Sequence, residues 1–200
     1  MSQILIVLLL MVLGAASWTL AEYMLHRFWG HMVPKGLFYR EHTRHHFKKD
    51  YFASWVDKLM MVVTVSALLG STSVWLMGWL YGLTYLVSFL SMYLYYEHFH
   101  AYIHFNGPTN KYAAKMASHH FYHHYIDETQ NHGVTTDFWD KVFRTYVKVK
   151  DMDIPVPQKF AMNWIDKQEI GDVFSDGYFV TYTIVKKHNP TKYNFSKVRV

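Results

Sequence analysis

Leu59 to Tyr96 reads LMMVVTVSALLGSTSVWLMGWLYGLTYLVSFLSMYLYY, 38 residues without an Asp, Glu, Lys, Arg or His. A charge-free run of this length is a membrane segment, because neither a strand nor an ordinary core helix needs so much uninterrupted apolar chain. As one α-helix rising 1.5 Å per residue it would reach about 57 Å, nearly twice the ~30 Å of a bilayer's hydrocarbon. The run must therefore fold back. Gly70-Ser-Thr-Ser73, small and polar in its middle, is the expected turn. The expected arms run from about Ala53 to Leu69 and from Val74 to about His104. The second is longer than one span needs, so it should stand out of the bilayer and carry His100 and His104 with it.

Upstream, Ile4 to Ala21 is also free of charge. A secretory signal would need a positive start, and no Lys or Arg precedes this run. The run leads directly into Glu22 and His26, so it reads as an anchor that is retained. Lys and Arg set the orientation. Arg27, Lys35, Arg40, Arg44, Lys48 and Lys49 lie between the first run and the hairpin, the hairpin turn has none, and the C-terminal half is rich in Lys. The chain is therefore expected to be an integral, multi-pass membrane protein with its N-terminus outside and its histidines on the cytoplasmic face. The net charge of +5 suits a face lying on anionic headgroups. Nucleic acid is not an expected partner, since the lysines are scattered and form no basic helix.

Ten of the fourteen histidines fall in four short words. They are His26-Arg-Phe-Trp-Gly-His31, His42-Thr-Arg-His45-His46, His100-Ala-Tyr-Ile-His104 and His120-Phe-Tyr-His123-His124. Residues three and four apart share a helix face. On that basis His42, His45 and His46 should aim at one point, as should His100 with His104, and His120 with His123 and His124. One histidine on an apolar face is ordinarily a satisfied core residue, but ten in helically spaced words are a metal site. Imidazole suits iron, zinc, copper and nickel. Ten ligands exceed the four of a structural zinc, so two metals are expected. The chain has no cysteine, which excludes thiolate zinc sites, iron–sulfur clusters and disulfides. A metal transporter would hold ligands inside its spans, and Ile4 to Leu20 and Leu59 to Leu94 contain no histidine or acid. A histidine-rich metal-binding membrane protein without enzymatic activity is the non-enzyme alternative.

His98, His119, His132 and His188 stand outside the ligand set. His119 competes with His120, because it is also four residues from His123. His120 is preferred because H-x-x-H-H then matches His42 to His46. Glu97 and Asp140 are candidate acceptors for the far N–H of a ligand imidazole, or else ordinary helix-end charges. Lys35 to Asp50 and Tyr112 to Tyr125 read as amphipathic interfacial helices, separated from the hairpin by breaks such as Asn106-Gly-Pro108. Gly133 to Asp137 reads as a loop feeding a helix capped by Thr136 or Asp137, with Phe138, Trp139, Val142 and Phe143 as its apolar face. Pro155-Val-Pro157 reads as a stiff linker. Tyr178 to Val185 has strand content, for a small hairpin or a piece packed under the metal face.

At these residues the chain resembles the membrane-bound fatty acid hydroxylase superfamily, which also holds sterol desaturases and carotenoid ring hydroxylases. The shared signature is H-x(3–4)-H, H-x(2–3)-H-H and a late H-x(2–3)-H-H between membrane hairpins. Within it the chain is most similar to fatty acid 2-hydroxylases, through Leu25 to Phe28, His31-Met32, His100 to Phe105, and a Gly-[Val/Ile]-[Thr/Ser]-Thr-x-x-Trp-Asp-x-x-Phe-x-Thr stretch at Gly133 to Thr145. The resemblance spans Glu22 to Tyr146. It implies an all-α membrane protein, one helix plus a hairpin, topped by a cytoplasmic helical cap that holds a multi-histidine dimetal site. Residues 1–150 would form this histidine-box hydroxylase domain and 151–200 a cytoplasmic tail. It further implies a non-haem di-iron monooxygenase that uses O2 and an external electron donor to hydroxylate a membrane lipid. The metal ligands would be the ten histidines of the four words, and zinc can replace iron on purification because it binds such sites more tightly. Eukaryotic members often carry a fused b-type cytochrome, which this sequence lacks, so the donor is expected to be a separate ferredoxin or b-type cytochrome. Carotenoid ring hydroxylases are similarly short, which keeps β-ring hydroxylation, and sterol or lipid desaturation, as alternatives to fatty acyl 2-hydroxylation. An apolar substrate would enter from the bilayer, with Tyr95, Tyr96, Phe99, Tyr102 and Phe105 lining the route or forming an interfacial belt.

Overall fold

A computed structural model describes residues 2–48, 50–106 and 108–149, and the backbone of two strands beyond them. Helix α1 (Gln3–Met24) is capped by the Ser2 hydroxyl, which accepts from Leu5 N, and it runs on without a break into a π-helical extension, Leu25–Met32. α2 (Gly36–Phe47) follows. α3 (Trp55–Val65) starts at Ser54, whose hydroxyl accepts from Asp57 N at 3.2 Å and donates to the Asp57 carboxylate at 2.6 Å. A π-helical turn, Ser66–Gly70, joins α3 to α4 (Ser71–Phe105). α5 (Lys111–Tyr125) is capped by Asn110, and α6 (Phe138–Val142) is a short last helix.

The hairpin exists, but its turn is at Gly78 and not at Gly70 to Ser73. Gly78 has φ +77°, a conformation open to glycine and costly for other residues. The helical arms 55–77 and 79–105 run antiparallel from it. The Ser73 hydroxyl donates to Gly82 O across them, and a Cβ on Gly70 would meet Leu86. The polar residues expected to break the run are absorbed by the helix instead. Ser71 and Thr72 hydroxyls donate to the carbonyls four residues earlier, Ala67 and Leu68.

Among the described residues two stretches are long and apolar enough to cross a membrane, Gln3–Met32 and Trp55–Phe105, the second folded at Gly78. Most of their surface faces outward, with Leu8, Val12, Trp75, Trp79 and Val87 exposed. α1 packs along the second arm through Trp18, which meets Phe89 and Tyr93 edge-on. Beyond the spans a second core forms from Phe99, Ile103, Ala113, Met116, Ala117, Phe121, Tyr125 and Val134.

One expectation about the cap is corrected, and the direction of a second element is fixed. α5 is not an amphipathic surface helix. From Ala113 to Tyr125 it is buried at all but Lys115 and Tyr122, because one face meets the second core, one faces α2 and one meets the 131–145 segment. α6 presents its apolar face outward. Asp140 is buried while Phe138, Val142 and Phe143 are exposed. Thr136 Oγ1 accepts from Phe138 N, whereas the Asp137 carboxylate is drawn off by Lys115 and Lys141.

Strands β1 (Asp151–Pro155) and β2 (Thr181–Val185) pair in parallel, Asp151 opposite Thr181. Part of the expected strand is therefore present, but a parallel pair is not a hairpin. Pro155 lies within β1. Pro157, His188 and the rest of the 151–200 tail lie outside the described residues.

Candidate metal centre

All ten histidines of the four words come together, in two groups of five. His26, His31, His42, His46 and His123 form one, and His45, His100, His104, His120 and His124 the other. Within each group one nitrogen per residue lies within 4.8 Å of all the others. The H-x-x-H-H words do not aim at single points, as spacing alone implied. At about 100° per residue, His42 and His46 are about 40° apart, while His45 stands about 60° to the far side of His42. His42 and His46 therefore join one group and His45 the other. α5 divides in the same way, with His120 and His124 against His123. The first word is handled by the π-helical extension. Residues five apart in an α-helix diverge by about 140°, but here Val33 N bonds Phe28 O, five residues back, and the wider turn brings His26 and His31 together.

The geometry fits metal ions. His120 Nε2 lies 2.9, 3.1 and 2.9 Å from the Nε2 atoms of His100, His104 and His124. His31 Nε2 lies 2.9 Å from those of both His42 and His123, and His123 Nε2 is 3.2 Å from that of His46. Two imidazoles bound at right angles to one ion at about 2.1 Å would have nitrogens about 3.0 Å apart. Three backbone carbonyls fix the tautomers, because a carbonyl only accepts. His26 Nδ1–H donates to His132 O (2.5 Å), His45 Nδ1–H to Tyr51 O (2.7 Å) and His123 Nδ1–H to Gln130 O (2.8 Å). Each Nε2 thus turns its lone pair inward. His26 Nε2 is buried with no hydrogen-bond partner. Burial first, and then the neighbouring imidazoles, push His42, His120 and His123 below the usual histidine range, which keeps them neutral as ligands.

Of the two candidate acidic partners, neither bonds to the ten. Glu97 forms an ion pair with Lys58 across the hairpin. Asp140 acts one step back. It accepts from His132 N (2.9 Å), Gly133 N (2.8 Å) and Thr145 Oγ1 (2.7 Å), and meets His119 Nε2 at 3.0 Å. It thereby pins the loop whose His132 carbonyl holds His26. Burial pushes its carboxyl up, but the bonds from His119, His132 and Thr145 outweigh burial and hold it well below the usual carboxylate range. Glu22 pins the same loop from α1, accepting from Val134 N (2.6 Å), Thr135 N (2.9 Å) and Thr135 Oγ1 (2.5 Å). Sequence reasoning missed Glu22, although an acid closing an uncharged run was its readable signal. The carbonyls carry no side-chain signature and were not readable.

A cavity of about 280 Å³ opens between α2, α3 and α4 and is lined by Leu37, Phe38, Phe52, Met61, Tyr93 and Tyr96, with the Lys58–Glu97 pair in its wall. His42, His45 and His100 face it, so it reaches both groups. A smaller neighbour of about 60 Å³ shares Phe38, His42 and Tyr96 and touches His26. Of the five aromatics expected along the substrate route, Tyr96 alone lines these cavities. Phe99 stacks with Tyr95 and Tyr102 and meets Tyr112 at a tilt, and Phe105 meets Phe52 at a tilt.

Gly30 sets one distance in the site. A Cβ there would come within 2.8 Å of His42 Cδ2. Gly30→Ala should displace that ring and lower metal content by up to one ion per chain, read by elemental analysis, with helicity retained by circular dichroism.

Paired histidine groups facing an apolar cavity define a class of metal-site protein, and the sequence profile of the fatty acid hydroxylase family matches residues 11–145. The chain belongs to that family. It is 31% identical over 149 residues to fatty acid 2-hydroxylase of Rattus norvegicus, spanning 69% of this chain and 39% of the relative. It is 27% identical over 154 residues to dihydroceramide fatty acyl 2-hydroxylase of Arabidopsis thaliana, 71% and 62% of the two. A solved structure of scs7p, with only its hydroxylase domain visible, superposes with a TM-score of 0.59 at 25% identity over 74% of this chain and 58% of that one. The chain thus spans about two fifths of the rat relative's length.

Proposed function

We propose that this protein is an O2-dependent di-iron hydroxylase of membrane lipids that places its oxygen on C2 of a fatty acyl chain. The observation that carries the proposal is the pair of all-histidine groups at the wall of an apolar cavity. Relatives named as fatty acyl 2-hydroxylases support the choice of substrate and carbon. The ten histidines would hold the two ions, and iron bound there would supply the oxygen activation that an unactivated C–H bond demands. The chain's own residues do the rest. Neutral imidazoles with fixed tautomers present their lone pairs. Leu37, Phe38, Met61 and Tyr96 exclude water and hold the alkyl chain beside His42, His45 and His100, where position contributes most to rate. Electrons would come from a carrier such as a ferredoxin or b-type cytochrome.

Expression in a host that makes both β-carotene and ordinary lipids tests this. Lipid mass spectrometry should show 2-hydroxy acyl chains that are absent from the host alone. Zeaxanthin without 2-hydroxy acids would overturn the proposal in favour of ring hydroxylation.

We further propose three spans, the two hairpin arms and α1, with the histidine face in the cytoplasm, supported by the two apolar stretches and the Lys/Arg asymmetry. A topology reporter fused after Val200 should be active as a cytoplasmic marker, and extracytoplasmic activity would reverse the orientation.

A further inference from the structure

We propose that the segment from Phe138 to Arg144 is a membrane-interface anchor. Its apolar side chains lie in the acyl boundary and Arg144 binds an anionic lipid headgroup. The inference rests on the membrane reading above, and its test separates the two.

α6 turns its apolar side outward, with Phe138 55% and Val142 50% exposed, while Asp140 is fully buried. A helix packed on a protein core has the opposite pattern. The outward side continues a surface that already calls for lipid. Trp139 Nε1 donates to Thr19 Oγ1 at 3.0 Å, and Phe143 stacks on Tyr23 with ring centroids 5.1 Å apart. α6 therefore lies against α1 where its uncharged run ends, the depth at which aromatic side chains gather in membrane proteins. Aromatic and aliphatic groups beside a cation are the composition of an interfacial segment.

Arg144 is the second observation. Thr145 N closes the end of α6 on Asp140 O at 2.8 Å, and the residue before it takes φ +60°. That closing position favours glycine. An arginine there carries a conformational cost that closing the helix does not require. Arg144 is exposed and directly follows Phe143 in the chain, which lets its guanidinium make charge-assisted bonds to a headgroup phosphate.

The chain has no cysteine, so a single introduced one takes a spin label at a known place. V12C and V142C are labelled in nanodiscs of phosphatidylcholine with phosphatidylglycerol. Their depths are read by power saturation with O2 against a water-soluble nickel chelate, calibrated with spin-labelled lipids. The V12C label should lie in the hydrocarbon and the V142C label at the headgroup–acyl boundary. Adding Arg144→Gly should move the V142C label toward water without lowering the melting temperature. V12C in hydrocarbon with V142C in water would overturn the anchor and leave the membrane reading standing. V12C in water would overturn both. An unchanged V142C depth with Arg144→Gly would overturn the headgroup contact.

Discussion

Under the proposed function, His123→Ala should abolish fatty acyl hydroxylation and strip one of the two expected ions from the purified protein, measured by product analysis and elemental analysis on the same sample. His123 is buried, its Nε2 faces those of His31 and His46, and its Nδ1 is committed to Gln130 O. Alanine removes the ligand atom and orphans the carbonyl together. Loss of an outer partner alone typically costs about 10–100-fold in metal affinity, so loss of the ligand should exceed that. His98→Ala, on the exposed side of α4, should change neither readout. Full metal loading in the His123 variant would remove that residue from the ligand set.

Asp140→Ala should have the largest effect on stability of any change outside the ten histidines. The carboxylate receives two backbone N–H groups and a hydroxyl and meets His119, all in a buried site. Each buried donor left without a partner costs about 1–3 kcal/mol, and breaking a buried charged contact costs about 3–5 kcal/mol. A loss of at least about 3 kcal/mol is expected, with the metal group containing His26 loosened because the His132 carbonyl is no longer held. The pH dependence has a definite sign. Because the folded carboxyl is held below its unfolded range, its contribution is fully present above about pH 4 and drains away as pH falls further. Thermal unfolding in detergent across pH 3–7 should show the wild-type advantage over Asp140→Ala shrinking only at the acid end. A constant difference would assign the stability to packing instead.

The sequence made the architecture and the ten histidines legible for two simple reasons. Charge-free runs are countable, and repeated imidazoles at helical spacing are improbable outside a metal site. Besides the carbonyls behind the histidines, three features were not legible. The turn passed over Gly70 to Ser73 because short hydroxyls satisfy themselves on carbonyls four residues back, and only a glycine at positive φ reversed the chain. The division of each H-x-x-H-H word depends on what lies on either side of the helix, and spacing does not record that. The outward orientation of α6 is set by its partners, which a reading of its apolar face does not contain. Asp140, drawn inward by the loop amides, turns Phe138 and Val142 the other way.

The divided words have a mechanical consequence. α2 and α5 each send the outer pair of a triplet to one side and the middle histidine to the other, in opposite senses, so that each group receives two from one helix and one from its neighbour. The two helices behave like a key with teeth cut on both edges. A slip of one residue between them would present the wrong side chains to both cradles at once. Among the described residues no carboxylate belongs to either group, and the pitch of α2 and α5 gauges the separation of the cradles.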